Sequence, residues 1–389
     1  MAKPLYVYTG TDWVPVASEL ESTSQYLPIT QAQAPFRNLI INGAMQVAQR
    51  GTSVASITTD GYYTADRFIQ RNTTLGTWTQ SVETDAPTGS GFRKSLKMLC
   101  TTADASPAAG DLMFVGQLFE GQNLQQFLKG TASAKQFTVS FWVKSNVTGT
   151  YIAELQDLDN SRAVSASYTI SVSATWEKKT ITFPADATGA FDNDNAGSLS
   201  LNFWLGAGSN RTSGTLQTTW AAIVNANRVV GGTNLAAATS NYWQITGVQL
   251  EVGAVATPFE FKPFDQELKE CQRYYAKSCK YETVVGDGVA YGEGVYMAGG
   301  SHNTNSLSTP SISFPVTMRA TPTITFFRTN LSASNGQWAF FDGSAHRDGV
   351  GTSVLGSNEN RFSVTFTYTG ATAYRSNITS GQWKAETEL

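Results

Sequence analysis

The sequence predicts an all-β protein: a jelly-roll β-sandwich, then a short helix, then a second and smaller β domain, with a β-hairpin at the N-terminus. Three observations predict this. Charged residues are only 15% of the 389, against the roughly 25% of ordinary soluble domains, and Thr, Ser and aromatic residues stand in their place, a composition suited to short strands and polar turns. Long stretches alternate apolar and polar residues, the period of a strand with one buried side. A single segment near residue 270 changes to helical spacing. The length suits two or three domains.

The N-terminal segment, residues 1–35, opens with LYVYTGTDWVPVA from Leu5 to Ala17. Two short alternating runs flank a Gly-Thr-Asp turn, and Pro15 confines the second run to an edge. A two-stranded hairpin is marginal in water by itself. Tyr6, Tyr8 and Trp13 therefore either anchor it in a groove on another protein, by docking or strand addition, or fold it back on its own chain. Glu19 to Pro35 reads as an extended connector.

Residues 36–262 carry the sandwich pattern. Phe137, Val139, Phe141 and Val143 share one strand face, and Leu199, Leu201, Phe203 and Leu205 share another. Val164, Ala166, Tyr168, Ile170 and Val172 form a third. Trp243 and Ile245 fall on odd positions but Val248, Leu250 and Val252 on even ones, so a β-bulge is expected at Thr246-Gly247. One-sided burial on many strands indicates two packed antiparallel sheets of the jelly-roll kind.

The linker, residues 263–280, contains the helix, expected from Asp265 to Ser278 with Leu268, Cys271 and Tyr275 on one face and Asp265 as N-cap. With Tyr274 and Tyr275 it serves as a brace between domains or as part of an oligomer seam. Residues 281–389 form the second β domain: a glycine-rich stretch from Gly286 to Gly300, strands between Ile312 and Phe327 interrupted by Pro315 and Pro322, and a strand from Phe362 to Tyr368. No solenoid-type repeat is present.

Charge and chemistry exclude several functions. Twenty-seven basic against 30 acidic residues give a net charge of −3 with no basic stripe, which argues against nucleic acid as a partner. No apolar run reaches the roughly 18 residues of a membrane span, and the N-terminus lacks a secretory signal. Cys100, Cys271 and Cys279 fit no zinc spacing and read as buried filler in a chain folded in a reducing cytoplasm. His302 and His346 lie in polar, glycine-containing surroundings with no nucleophile elbow to serve. Asp157, Asp159, Asp192 and Asp194 could supply a pair of glycosidic carboxylates or hold Ca²⁺, but turn chemistry explains Asp and Asn in DLDNS and DNDN. No catalytic residue, metal or cofactor is assigned, and the protein is not expected to be an enzyme. Trp142 and Trp204 stand opposite the aliphatic residues of their strands. They are the carbohydrate-binding candidates, as an exposed aromatic platform for a sugar ring, or else they pack beneath a loop or a neighbouring subunit.

Two sequence blocks resemble those of tailed-bacteriophage virion proteins. RNLIINGAMQVAQRG from Arg37 to Gly51, followed by YTADRF from Tyr63 to Phe68, is similar to the opening of a jelly-roll module in such proteins. LEVGAVATPFEFKPFDQELKECQRYY, ending at Tyr275, is similar to its closing strand, turn and following helix. FPVTMRATPTIT, from Phe314, and PLYVYTGTDWVPVAS, from Pro4, resemble respectively a C-terminal strand pair of the same proteins and the start of cyanophage-like tail-fibre chains. The resemblance implies a structural component of a phage tail, synthesised in the host cytoplasm, with a carbohydrate-binding-module-like jelly roll. It further implies a short tail fibre or adhesin, homotrimeric, joined through its N-terminus to other tail proteins and directed at a host-surface glycan or protein. Neither heptads nor repeated β-turns form a shaft between hairpin and sandwich, which favours a short fibre, knob or adaptor over a rod. The alternative is a purely structural adaptor or decoration protein with no host ligand.

Overall fold

The computed structural model describes residues 6–8, 13–15, 36–287, 295–301, 306–328, 337–341, 346–367 and 376–389. The chain divides into two units, residues 1–37 and 38–389. In the first, β1 (Tyr6–Tyr8) and β2 (Trp13–Pro15) pair antiparallel, with Tyr6 opposite Pro15 and Tyr8 opposite Trp13. This is the hairpin expected from the alternating runs. The side chains of Tyr6, Tyr8 and Trp13, the turn between the strands and the connector lie outside the described residues.

The second unit begins with the sandwich. Its strands are β3 (Ser53–Ile57), β4 (Gly61–Tyr62), β5 (Ile69–Thr73), β6 (Thr77–Glu83), β7 (Ser95–Thr102), β8 (Leu112–Glu120), β9 (Phe137–Ser145), β10 (Gly149–Asp157), β11 (Arg162–Ile170), β12 (Glu177–Phe183), β13 (Gly197–Ala207), β14 (Ala221–Ala222) and β15 (Tyr242–Val252). A six-stranded sheet runs β12-β9-β15-β7-β6-β3, and a seven-stranded sheet runs β14-β11-β10-β13-β8-β5-β4. Neighbours in space are mostly not neighbours in sequence, because the chain crosses repeatedly between sheets, as in a jelly roll. The three faces read from the sequence meet between the sheets: Phe137, Val139, Phe141 and Val143 pack with Leu199, Leu201, Phe203, Leu205, Val164 and Tyr168. Each such aliphatic or Phe side chain contributes about 1.5–3 kcal/mol by leaving water. Strand β11 stops at Ile170, however, and Val172 beyond it is exposed. The bulge is present, a register shift between Thr246 and Gln249 with Gly247 at φ +62°.

The helical segment is shorter than expected. After α1, a single turn at Ser209–Thr212, helix α2 spans Phe264–Gln272 with Pro263 at the N-cap. Asp265 is therefore inside the first turn, where its carboxylate opposes the positive end of the helix dipole. Tyr275 does not continue the helical face: Tyr275–Lys277 is β16, paired with the last strand of the chain. A ladder to a distant strand thus overrides the local periodicity.

The C-terminal region is built on β25 (Ser376–Glu386), which pairs with β16, β17 (Val295–Ser301), β20 (Thr323–Phe327) and β21 (Ala339–Phe341). Strands β18 (Ser306–Ser308), β19 (Ile312–Ser313), β22 (His346–Asp348), β23 (Val350–Ser357) and β24 (Arg361–Thr367) complete it. The breaks at Pro315 and Pro322 fall between β19 and β20, as their missing N–H donors require. Trp338, Phe362, Phe366 and Trp383 lead a second core separate from the first.

A buried polar clasp joins the two cores, and it draws on residues of the segments 37–51, 63–68 and 250–275. Arg67 is fully buried, lies 3.5 Å over the Tyr274 ring, donates to the Leu118 carbonyl at 2.7 Å and pairs with Glu388. Arg50 lies 3.8 Å over Tyr275 and pairs with Glu388 at 3.0 Å. Gln49 donates to Asp66 at 2.6 Å and to the Tyr275 carbonyl at 2.8 Å. Arg273 grips Glu120 through two bonds of 2.8 Å, and the Tyr274 hydroxyl donates to the same carboxylate. Burial by itself would raise the Glu120 carboxyl, but the hydrogen bonds from Arg273 and Tyr274 outweigh it and hold the group below its ordinary range. Asp66 is pushed the other way, upward, by burial. Tyr274 and Tyr275 thus lie in the seam between the two hydrophobic cores.

Candidate functional site

The outer face of the six-stranded sheet holds an open groove. In β9 the residues opposite the aliphatic row are Thr138, Ser140, Trp142 and Lys144, so alternation aims Trp142 away from the core, and it is half-buried. Across the ladders Trp142 stands opposite Lys178 of β12 on one side and Thr246 of β15 on the other. The bulge then brings Gly247 to the floor, where a Cβ would lie 2.5 Å from the Phe92 ring. Only glycine permits both that contact and a φ of +62°.

Three phenylalanines wall the groove. Phe92 is 4.8 Å from Phe259 and 5.1 Å from Phe261 between ring centroids, and Phe259 and Phe261 are 4.9 Å apart at 71°, edge to face. Phe259 and Phe261 belong to the ATPFEF turn after β15. That turn is fixed by Thr257 donating to Glu251 at 2.7 Å and by the Glu260 N–H donating to Gln249 at 2.9 Å. The hollow measures about 280 Å³ and its wall is mainly aromatic, with Ser90, Ser140 and Lys178 supplying polar groups. A second hollow of about 390 Å³, lined by residues 84–93 including Arg93, shares Phe92 with it.

The neighbouring row of the same face is polar and braced. Asp85 accepts from Lys144 and, at 3.1 Å, from the Trp176 indole, whose ring lies 5.1 Å from the Lys144 ammonium. Burial would raise the Asp85 carboxyl, yet these hydrogen bonds prevail and lower it. Lys97 lies 5.1 Å from the Tyr242 ring.

The other candidate platform is covered. Trp204 does face away from the aliphatic row, but it is 1% exposed, packed with Ile152, Val229 and Phe114. Residues 208–237 fold back over this side of the seven-stranded sheet, and Arg228 locks them down through bonds of 2.6 and 2.7 Å to Glu154. Glu154 also accepts from the Trp204 indole at 3.1 Å. Trp204 is therefore removed from the carbohydrate-binding candidates by the cover that hides it.

The aspartates are committed to structure. Asp157 is buried against the Lys129 ammonium, which also reaches Asp186 at 3.1 Å and the Gly189 carbonyl at 2.7 Å. Asp159 accepts from the Asp192 N–H, and Asp194 from the Ala196 N–H, both at 2.9 Å. The second is a turn bond, and the first ties together two loops 33 positions apart in sequence. Among the described residues no three His, Cys, Asp or Glu side chains converge as metal ligands, and no helix is long and apolar enough to cross a membrane. All three cysteines are buried, and the Cys279 thiol donates to the Thr283 carbonyl at 3.1 Å. His302 lies outside the described residues, and His346 is placed only by its backbone, in β22.

Sequence reasoning located Trp142 but missed Phe92, Phe259, Phe261 and Lys178. The PFEF repeat was a usable signal for two of the rings, since alternate aromatics just past a closing strand rarely serve a turn alone. Lys178 was legible only once β12 was paired with β9.

No family model and no curated protein matches the chain. Among solved structures it is similar to the enzymatically active domain of tailspike protein 4 of bacteriophage CBA120, at 17% identity over 56% of this chain and 22% of that one, with a TM-score of 0.30. The match thus spans about a fifth of that domain's chain. It is also similar to TmCBM61 in complex with β-1,4-galactotriose, at 10% identity over 56% of this chain and 99% of that one, TM-score 0.28. A third is the family 11 carbohydrate-binding module of the cellulosomal cellulase Lic26A-Cel5E of Clostridium thermocellum, at 13% identity over 52% and 98%, TM-score 0.26.

Proposed function

We propose that this protein is a non-enzymatic, glycan-binding component of a phage tail, a short tail fibre or adhesin that holds a host-surface polysaccharide in the groove at Trp142. The observation that carries the glycan reading is the open aromatic groove itself. Sugar rings present apolar C–H faces that stack on a flat indole while hydroxyls bond to the rim, and Trp142 beside Ser140 and Lys178 offers both. The tail assignment rests on the sequence blocks Arg37–Phe68 and Leu250–Tyr275. In this reading the hairpin of β1 and β2 docks on other tail proteins, with Tyr6, Tyr8 and Trp13 as anchors, and three copies present three weak sites whose effective concentration gives avidity.

The test is a glycan array probed with the intact chain and with Trp142→Ala. Binding that is lost in the variant supports the reading; binding to no glycan, or binding indifferent to Trp142, overturns it.

A second reading is favoured by Phe261, an exposed apolar side chain that lines the groove. In it the groove is a seat for a neighbouring virion protein, and the chain is an adaptor without a host ligand. Cryo-electron microscopy of the assembled particle separates the two: a groove facing outward supports the adhesin, a groove sealed by another chain the adaptor.

A further inference from the structure

Resting on the glycan reading, the further question is which class of glycan the groove selects, and here we infer that the ligand is acidic, a polysaccharide carrying carboxylates on its sugar rings. The register places Lys178 directly opposite Trp142 on the same face of the sheet, so a ring stacked on the indole brings its substituents to the ammonium. Neighbouring strands are about 4.8 Å apart, close to the width of a single sugar ring. Arg93 lines the adjoining hollow, and Lys97 extends the row formed by Lys144 and Gln244 across the same sheet.

The cations of this face differ from its carboxylates in their partners. Lys178, Arg93 and Lys97 have no carboxylate partner among the described residues. The carboxylates nearby are already hydrogen-bonded: Asp85 with Lys144 and Trp176, Glu83 with Ser81, Glu251 with Thr257 and Gln249, and Glu260 with the Asn38 N–H. What this face offers beside its aromatic floor is cations without a carboxylate partner, rather than a net positive charge. A neutral glycan would use the indole and leave the three cations idle. A polyuronate or polysialate uses both, with the ring on Trp142 and the carboxylate on Lys178, each charge-assisted bond stronger than a neutral one.

The experiment measures binding of the full chain, by affinity electrophoresis and calorimetry, to polygalacturonate, alginate and polysialic acid, each beside its carboxyl-reduced form and a panel of neutral glycans. Lys178→Gln and Trp142→Ala are run in parallel. At least one acidic polymer is expected to bind and to lose affinity on carboxyl reduction, and Lys178→Gln to weaken that polymer about five- to tenfold, several times more than it weakens the reduced form. Affinity should also fall as salt rises. Equal binding of acidic and reduced polymers, retention of neutral glycans only, or indifference to Lys178→Gln overturns the inference while leaving the glycan reading intact, provided that Trp142→Ala abolishes the binding seen. Retention of no polymer at all overturns both.

Discussion

Two outward tryptophans, one on each sheet, start from the same sequence signal and meet opposite fates. Trp142 in β9 and Trp204 in β13 both stand against an aliphatic row, and both point away from the core. Trp142 lines an open groove, whereas Trp204 is sealed by residues 208–237. The difference lies in the connection that leaves each strand. From Ser145 the chain turns within three residues, 146–148, into β10 and has nothing to spare for cover. After Ala207 it makes a long excursion, through α1 and β14, before β15 begins at Tyr242. Alternation therefore tells which face a side chain takes, while connection length tells whether that face stays open.

The comparison can be broken most forcefully at the cover. Arg228→Ala leaves the buried Glu154 carboxylate without its cation, which is expected to cost about 3–5 kcal/mol in urea unfolding and to expose the Trp204 indole to acrylamide quenching. A loss below about 1 kcal/mol would mean that apolar packing and not the ion pair holds the cover down. Truncating the two tryptophans sharpens the contrast. Trp204→Ala is expected to destabilise by about 3–5 kcal/mol with no direct effect on glycan binding, and Trp142→Ala by only about 1 kcal/mol while abolishing binding; paired unfolding curves and binding isotherms check both.

Gly247→Ala tests the groove floor. Its strained φ and the collision with Phe92 are expected to cost about 1–3 kcal/mol and to weaken binding through displacement of Phe92, read from thermal midpoint and affinity together. The smallest effect is expected at Asp85. Its carboxyl is lowered in the fold, so its contribution is present above the unfolded pKa of about 3.9 and is lost as pH falls through the lower folded value. Because Asp85 is half-exposed, the contribution is below about 1 kcal/mol. Comparing the acid limb of the stability curve with that of Asp85→Asn should show a shallower loss in the variant below pH ~4.

Much of the fold was legible because it depends on neighbours in sequence. The period-two faces at Phe137–Val143 and Leu199–Leu205, the hairpin at Tyr6–Pro15 and the bulge at Gly247 are local properties, and each is present. The end of α2 was not legible, since nothing near Arg273 announces that Tyr275 will pair with Glu386. The site divides in the same way. Trp142 could be assigned a face from its own strand, but Lys178 reaches it only through the β9–β12 ladder, and the cover over Trp204 depends on a salt bridge between residues 74 positions apart.

The clasp has a consequence for how the protein is made. Arg67 is buried against a partner 321 positions downstream, and Arg50 against one 338 positions downstream. At roughly 5–20 residues per second a ribosome releases the first sandwich strands on the order of tens of seconds before Glu386 and Glu388 exist. In that interval two guanidinium groups that end up desolvated remain in water, and the seam between the sheets and α2 stays ajar. Folding of the first core is thereby coupled to completion of the second, so a chain cut short by a nonsense codon or a protease retains a visible defect in its N-terminal half. Such a defect would mark a truncated chain by its N-terminal half alone.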